Sequence, residues 1–118
     1  MDAELRTTIC RLVAGLVVSD DDFAPEEEAF IERMLARFGI ADRASIFPIV
    51  DRSEAAASVR ALPAAVRQEA LGVLLEAAVA DGKVVDEERV YLLAVGEAMG
   101  LGAAEVEARI AKALAGKG

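Results

Sequence analysis

The sequence predicts an all-α domain. Of its 118 residues, 55% are hydrophobic, largely Ala, Val and Leu, but only 4% are aromatic and 3 are prolines. Alanine and leucine are strong helix formers, whereas sheets are enriched in β-branched and aromatic residues, so this composition favours packed helices. A chain of this length can form one hydrophobic core without a disulfide or a metal, and we expect a single domain over residues 1–118.

Two helices are predicted in the first forty residues. The first covers residues 3–19 and ends at the aspartates that follow it. The second begins at Pro25, which suits a first helical turn, and ends at Gly39. The apolar residues expected to be buried are Leu5, Ile9, Leu12, Val13 and Leu16 in the first helix, and Phe30, Ile31, Met34, Leu35 and Phe38 in the second.

Residues 41–62 are expected to form two short helices with Asp42 and Ser53 as N-caps, and Pro48 interrupts the first of them. Three longer helices follow, of which the first begins at Pro63 and reaches about Ala80. The next covers about 86–99, and its Gly96 permits close approach of a neighbour. The total is about seven helices.

The helix that begins at Pro63 and the helix over about 86–99 are apolar around most of their circumference. We therefore expect both to be central, with Leu74 and Leu92 almost fully buried. The last helix is amphipathic, with Val106, Ile110, Ala113 and Leu114 on its apolar face, and is expected to fray at residues 116–118.

An ungapped internal repeat relates two parts of the chain. Residues 18–40 recur as residues 79–101 at a constant offset of 61 positions, with Gly39 aligned to Gly100. We therefore expect two pseudo-symmetric helix-loop-helix units in one bundle, each with an acidic loop. The other aligned pairs are Asp20/Asp81, Glu26/Glu87, Glu27/Glu88, Phe23/Val84, Phe30/Tyr91, Ile31/Leu92, Met34/Val95 and Phe38/Met99.

The two acidic loops are the candidate functional site. Asp20 and Asp81 are predicted at the C-terminal ends of helices, where the helix dipole makes a carboxylate unfavourable. Seven residues later, Glu27 and Glu88 lie in the first turn of the next helix, so each loop brings two carboxylates together. If the two units are related by a twofold axis, all four converge on one cation site. Further candidate ligands are Asp21, Asp22 and Glu87.

Helix capping is the alternative explanation of the glutamates. A Glu at the third helical position can accept a hydrogen bond from the backbone N–H of the residue before the helix, as half of a capping box. Ala24 and Val85, at the cap positions, have no side-chain oxygen with which to complete the box. Capping therefore explains Glu27 and Glu88 but not the aspartates, and both interpretations stay open.

The residue types restrict which cation could bind. The chain has no His and only 1 Cys, which excludes the usual zinc and copper sites. Clustered carboxylates and loop carbonyls suit Ca²⁺ or Mg²⁺. The loops are not EF-hands, because a loop counted from Asp20 has Pro25 where that motif needs Gly and Ile31 where it needs Glu.

Charge and cysteine content exclude other classes. The net charge of −8 makes a nucleic-acid partner unfavourable, and the stretch from Asp20 to Glu32 has seven acids and no base. The apolar segment 12–18 is too short and too acidic in its flanks for a signal peptide or a membrane span, so we expect no direct membrane insertion. Cys10 on an apolar helical stretch indicates a buried, inert thiol and a cytoplasmic protein.

These motifs resemble the TerB-like family of tellurite-resistance proteins. The resemblance rests on Ala80-Asp81-Gly82-Lys83-Val84 with Glu88, on Ser19-Asp20 with Phe23 and Glu27, and on the Gly-Ile and Gly-Leu that close the two units. It covers residues 5–115. It implies an all-helical, pseudo-symmetric domain with metal-ion binding, a role in tellurite and other stress responses, and no enzymatic activity. Related domains are fused to membrane-anchored cochaperones, which implies a membrane-associated protein partner.

The sequence gives catalysis no independent support, since no nucleophile stands beside a base and no glycine-rich phosphate loop is present. We expect a non-enzymatic domain that binds a divalent cation and mediates protein interactions. The alternative is a metal-independent scaffold that docks a protein through the acidic face from Asp20 to Glu32. The first loop has Asp21-Asp22 where the second has Gly82-Lys83, which argues against equal cation affinity in the two halves.

Overall fold

Six α-helices and no strand make up the part of the chain that the structure describes. The computed structural model describes residues 3–17, 25–40, 52–80, 82 and 84–117, apart from the side chains of residues 26, 27, 52 and 117. The all-α prediction is confirmed for these residues. The helices are α1 (Ala3–Val17), α2 (Pro25–Arg37), α3 (Arg52–Arg60), α4 (Ala64–Ala78), α5 (Asp86–Ala98) and α6 (Ala103–Lys117).

Proline and glycine mark the helix ends as predicted. α2 begins at Pro25, and α4 begins directly after Pro63. Gly39 and Gly100, which follow α2 and α5, have φ of +71° and +84°. Glycine adopts this left-handed conformation without the steric penalty that a Cβ imposes, so each residue ends its helix.

Two predicted helix ends are wrong. Ser53 lies inside α3, which begins one residue earlier, and the first turn tolerates Ser because its N–H has no intrahelical partner there. α6 does not fray at Gly116 but continues to Lys117, since the alanine-rich sequence before it sustains the last turn. The helix predicted after Asp42 lies outside the described residues, so the seventh helix stays a prediction.

The core forms around α5, which packs against α1, α3, α4 and α6. α1 and α4 pack against each other, and the Cα radius of gyration is 13.0 Å, as expected of a compact chain of this length. Leu74 and Leu92 are both 0% exposed, which confirms their predicted burial. The largest fully buried side chains also include Ile9, Leu12, Leu16, Ile31, Leu71 and Ile110.

α4 and α5 are central, as their largely apolar circumference predicts, but one side of each helix is open to solvent. Gly72 and Glu76 of α4 are exposed and Leu75 is half-buried. On α5, Val90 is 40% exposed, because it faces the connection to α6, which covers it only in part. α4 and α5 therefore present more apolar surface than the neighbouring helices cover.

Two contacts fix how α5 meets its neighbours. The Tyr91 hydroxyl donates a buried hydrogen bond of 2.9 Å to the Leu12 carbonyl, which joins α5 to α1. On another side, Gly96 faces Val106 of α6 so closely that a Cβ on Gly96 would overlap the Val106 Cγ2 methyl. The predicted close approach at Gly96 is confirmed.

The helix bounds repeat with the same offset as the sequence. α1 and α4 have 15 residues each, α2 and α5 have 13 each, and every bound of the second pair lies 61 positions after that of the first. The terminal hydrogen bonds repeat too: Ile40 N–H donates to Leu35 O at 2.9 Å, and Leu101 N–H donates to Gly96 O at 2.8 Å. At the level of helix bounds, the repeat thus extends back to residues 3 and 64.

No helix in the described part of the chain combines the length and the apolar character that crossing a membrane requires.

Candidate functional site

The start of α5 is the part of the predicted cation site that the structure describes. α4 leads into it through a turn in which Gly82, at φ +87°, donates its N–H to the Val79 carbonyl at 2.9 Å. Asp86 and Glu87 in the first turn of α5 are exposed. Glu88, one position further, is 2% exposed, and it is the one charged residue that is buried among the described residues.

Glu88 also acts as a helix cap. Its Oε1 accepts a hydrogen bond of 3.3 Å from the backbone N–H of Val85, the residue before the helix. Val85 has only a hydrocarbon side chain and cannot return a bond to the helix, so only the glutamate half of a capping box forms. The positive end of the helix dipole also favours a carboxylate in this first turn.

Most other predicted ligands fall outside the described residues. These are Asp20, Asp21, Asp22 and Asp81, together with the side chain of Glu27. The backbone of Glu27 occupies the third position of α2, as Glu88 does in α5. Among the described side chains, no group of three or more His, Cys, Asp or Glu residues could hold a metal ion.

Cys10 of α1 is a buried thiol, as predicted. It is 0% exposed, and burial raises its pKa from 9.0 to about 11 because the thiolate would lose its solvation. A thiol with so high a pKa is a poor nucleophile and metal ligand at neutral pH. Cys10 is therefore a core residue.

A second site, not expected from the sequence, is a groove of about 830 Å³ between α2, α4 and α6, here called the α2–α4–α6 groove. Gly72, Leu75 and Val79 of α4 form its floor. Phe30 of α2 and Ala108 of α6 are on its two walls. Its volume is in the range of ligand pockets, and its apolar floor is typical of them.

Basic residues stand on both walls of this groove. Arg33 of α2 lies with its guanidinium carbon 6.0 Å from the centre of the Phe30 ring. Arg109 of α6 donates to Glu105 at 3.2 Å and to Gln68 at 3.3 Å. Lys112, one turn further along α6, makes no ion pair within the described part of the chain. Arg33 and Lys112 are far apart in sequence, so no local motif predicted the groove. The available signal was a glycine, Gly72, inside a predicted helix.

Comparison with known proteins gives no match: no family model, no curated protein and no solved structure matches this chain.

Proposed function

We propose that this chain is a TerB-like, non-enzymatic domain that binds a divalent cation, Ca²⁺ or Mg²⁺, and mediates protein interactions in a cytoplasmic stress response of the tellurite-resistance type. The proposed ligands are Asp20, Glu27, Asp81 and Glu88, with Asp21, Asp22 and Glu87 as secondary ligands. The partner is a protein, membrane-associated as the family resemblance implies.

The burial of Glu88 is the observation that carries the proposal. Charged side chains are seldom buried, because removing a carboxylate from water costs several kcal/mol before compensation. Glu88 is 2% exposed although Asp86 and Glu87 beside it are exposed. A carboxylate held in this way, seven residues after Asp81, has the fixed position that a cation ligand needs.

The repeat supports extending the site to the first half of the chain. Glu27 and Glu88 hold the same position in helices of equal length. In this proposal the two helix pairs are related by a pseudo-twofold axis, which brings both acidic loops to one side of the bundle. Four carboxylates near one another repel, and a divalent cation relieves that repulsion.

The metal-independent scaffold is the second candidate, and the hydrogen bond from Val85 to Glu88 favours it. Under this interpretation Glu88 is a buried cap, and the acidic face from Asp20 to Glu32 docks a basic partner without any cation. Glutamine also serves at the third helical position, so Glu88→Gln would leave stability almost unchanged.

Thermal unfolding separates the two candidates. The protein is melted in chelator, then with Ca²⁺ and with Mg²⁺, at an ionic strength that screens diffuse attraction. A cation at about a hundredfold its dissociation constant adds about 2.7 kcal/mol, which for a domain of this size raises Tm by about 10 °C. Calorimetric titration with each cation should then show saturable heat.

Variants assign the effect to the proposed ligands. Asp81→Asn and Glu88→Gln should remove most of the cation response while the metal-free protein stays as stable as before or becomes more stable. Glu97→Gln, an exposed carboxylate near the other end of α5, is the matched control and should respond like the unchanged protein. Absence of saturable heat and of a Tm shift with both ions would reject cation binding in favour of the scaffold.

A further inference from the structure

By the 61-residue offset, the α2 and α4 sides of the groove correspond to the face formed by α5 and α1, and α3 covers that face. α3 packs mainly against α5 and also against α1, the helices that correspond to α2 and α4. Three positions in the groove are more exposed than the positions 61 residues away on the covered side. Phe30 and Leu75 are half-buried and Glu76 is exposed, whereas their counterparts Tyr91, Ala14 and Gly15 are all buried.

α3 illustrates which kind of element such a face accepts. Its buried residues are Ala55 at 0%, Val59 at 0% and, just beyond the helix, Leu62 at 4% exposure. These positions are spaced by four and three residues, which is one apolar stripe of a helix. A short amphipathic helix therefore covers the α1–α5 face.

The floor of the groove is open above the α4 backbone. Gly72 lies in the middle of α4, and a Cβ placed there would meet no atom within 4 Å. A glycine inside a helix lowers its stability by roughly 1 kcal/mol relative to alanine, and no packing inside the described structure requires one at this position. Because Gly72 has no side chain, an approaching helix can lie close to the α4 backbone.

The charge of the groove is opposite to that of the whole chain. Its basic residues are Arg33, Arg109 and Lys112, and its acidic residues are Glu76 and Glu105. Glu105 pairs with Arg109, and Glu76 pairs with Arg37 at 3.6 Å. Arg33 and Lys112 are left on opposite walls of an apolar floor, in a protein of net charge −8.

We propose that the α2–α4–α6 groove binds an amphipathic helix of a partner protein. The apolar residues of this helix, spaced three and four apart, pack on the half-buried Leu75 and Phe30, and carboxylates on its flanks face Arg33 and Lys112. This is the helix-in-groove mode of recognition, with charge complementarity setting which helices are accepted. The inference goes beyond the proposed function and needs no cation.

Two fluorescein-labelled peptides test the proposal. The first is an alanine-based peptide of about 18 residues with leucine at every third or fourth position and glutamate on both flanks, a pattern that gives one apolar helical face. The second has lysine in place of each glutamate. Fluorescence anisotropy in chelator should show saturable binding of the glutamate peptide, with the lysine peptide at least about tenfold weaker.

Protein variants locate the binding. Gly72→Trp fills the groove and should weaken binding of the glutamate peptide at least about tenfold. Lys112→Glu should weaken it roughly fivefold, since one attraction becomes a repulsion. Arg60→Glu, on the exposed end of α3, changes the net charge equally and should leave binding unchanged. Lys112 is exposed, so its variant folds even if Gly72→Trp does not.

The opposite results overturn the proposal. One such result is no saturable binding of the glutamate peptide, and another is equal binding of the two peptides. A third is that Gly72→Trp and Lys112→Glu bind the glutamate peptide as the unchanged protein does, while circular dichroism shows that both variants are folded. Sedimentation of the protein alone tests whether a second copy of this chain occupies the groove instead. A concentration-dependent dimer that Gly72→Trp abolishes would assign the groove to that second copy and reject a partner helix.

Discussion

The two helix pairs α1–α2 and α4–α5 have the same lengths, and α2 and α5 end in the same hydrogen bonds, yet α2 and α5 lie in different surroundings. α5 packs against four other helices, whereas α2 makes its main contacts with α1 in the described part of the chain. The difference is due mainly to α3 and α6, which both pack on α5, and in part to α1, which contacts α5 as well as α2. The repeated sequence thus specifies where helices begin and end, and the added helices decide which of their faces are buried.

The largest expected effect contrasts equivalent aromatic residues of the two pairs. Tyr91 of α5 is 3% exposed and bonded to Leu12, so Tyr91→Ala should lower the free energy of unfolding by about 3 to 5 kcal/mol. Phe30 of α2 is half-buried at the open groove, so Phe30→Ala should cost about 1 kcal/mol. Urea unfolding measures both values.

Equal losses at the two positions would break the contrast, because they would mean that Phe30 is as well covered as Tyr91. Leu92→Ala serves as the reference for a fully buried position on α5, with an expected loss of about 2 to 5 kcal/mol. A loss below about 1 kcal/mol there would contradict the central place of α5.

A pH effect distinguishes α1 from α4. Cys10 and its counterpart Leu71 are both buried, but only Cys10 titrates. Its pKa is raised from 9.0 to about 11, so the folded state holds the proton more tightly than the unfolded chain does. The resulting stabilisation is fully present below pH 9 and is lost as pH rises to about 11, by roughly 2 to 3 kcal/mol.

Tyrosine and lysine titrate in the same range, so the measurement is a difference between proteins. Urea unfolding of the unchanged protein and of Cys10→Ala at about pH 8 and about pH 11 isolates the thiol. The unchanged protein should lose more stability than the variant. Parallel losses would show that the Cys10 thiol ionises as readily in the folded state as in the unfolded state.

The smallest effects contrast two helical glycines, one at a covered surface and one at an open surface. Gly96→Ala should cost about 1 to 3 kcal/mol, because the new methyl group overlaps Val106. Gly72→Ala should instead stabilise by about 0.5 to 1 kcal/mol through helix propensity, since nothing lies near it. Thermal melts rank the two, and a gain at Gly96 would mean that α6 lies further from α5 than described.

Local signals in the sequence predicted the helices well. Pro25, Pro63, Gly39 and Gly100 mark helix ends because their backbone restrictions act within a few residues. The burial of Leu74 and Leu92 followed from the apolar residues around most of the circumference of their helices. The exposure of Val90 and Gly72 did not, because it depends on where α3 and α6 pack, which helical periodicity does not encode.

The candidate site was predictable to the extent that it is local. The position of Glu88 in the first turn of α5 and its capping bond followed from its spacing after Val85. Its burial beside an exposed Glu87 did not, since both are acidic residues of one turn. The groove could not be predicted from the sequence, because Arg33 and Lys112 line one groove only through the positions that α2, α4 and α6 take in the fold.

The close contact between Gly96 and Val106 bears on the energetics of binding in the groove. It holds α6 against α5, and an ion pair between Arg89 and Glu107 joins the same two helices. One wall of the groove is therefore anchored to the core by contacts on its far side. A helix entering the groove would meet an α6 wall whose position is already set, so little conformational entropy of α6 would be lost on binding, and affinity would depend more on the order of the incoming segment.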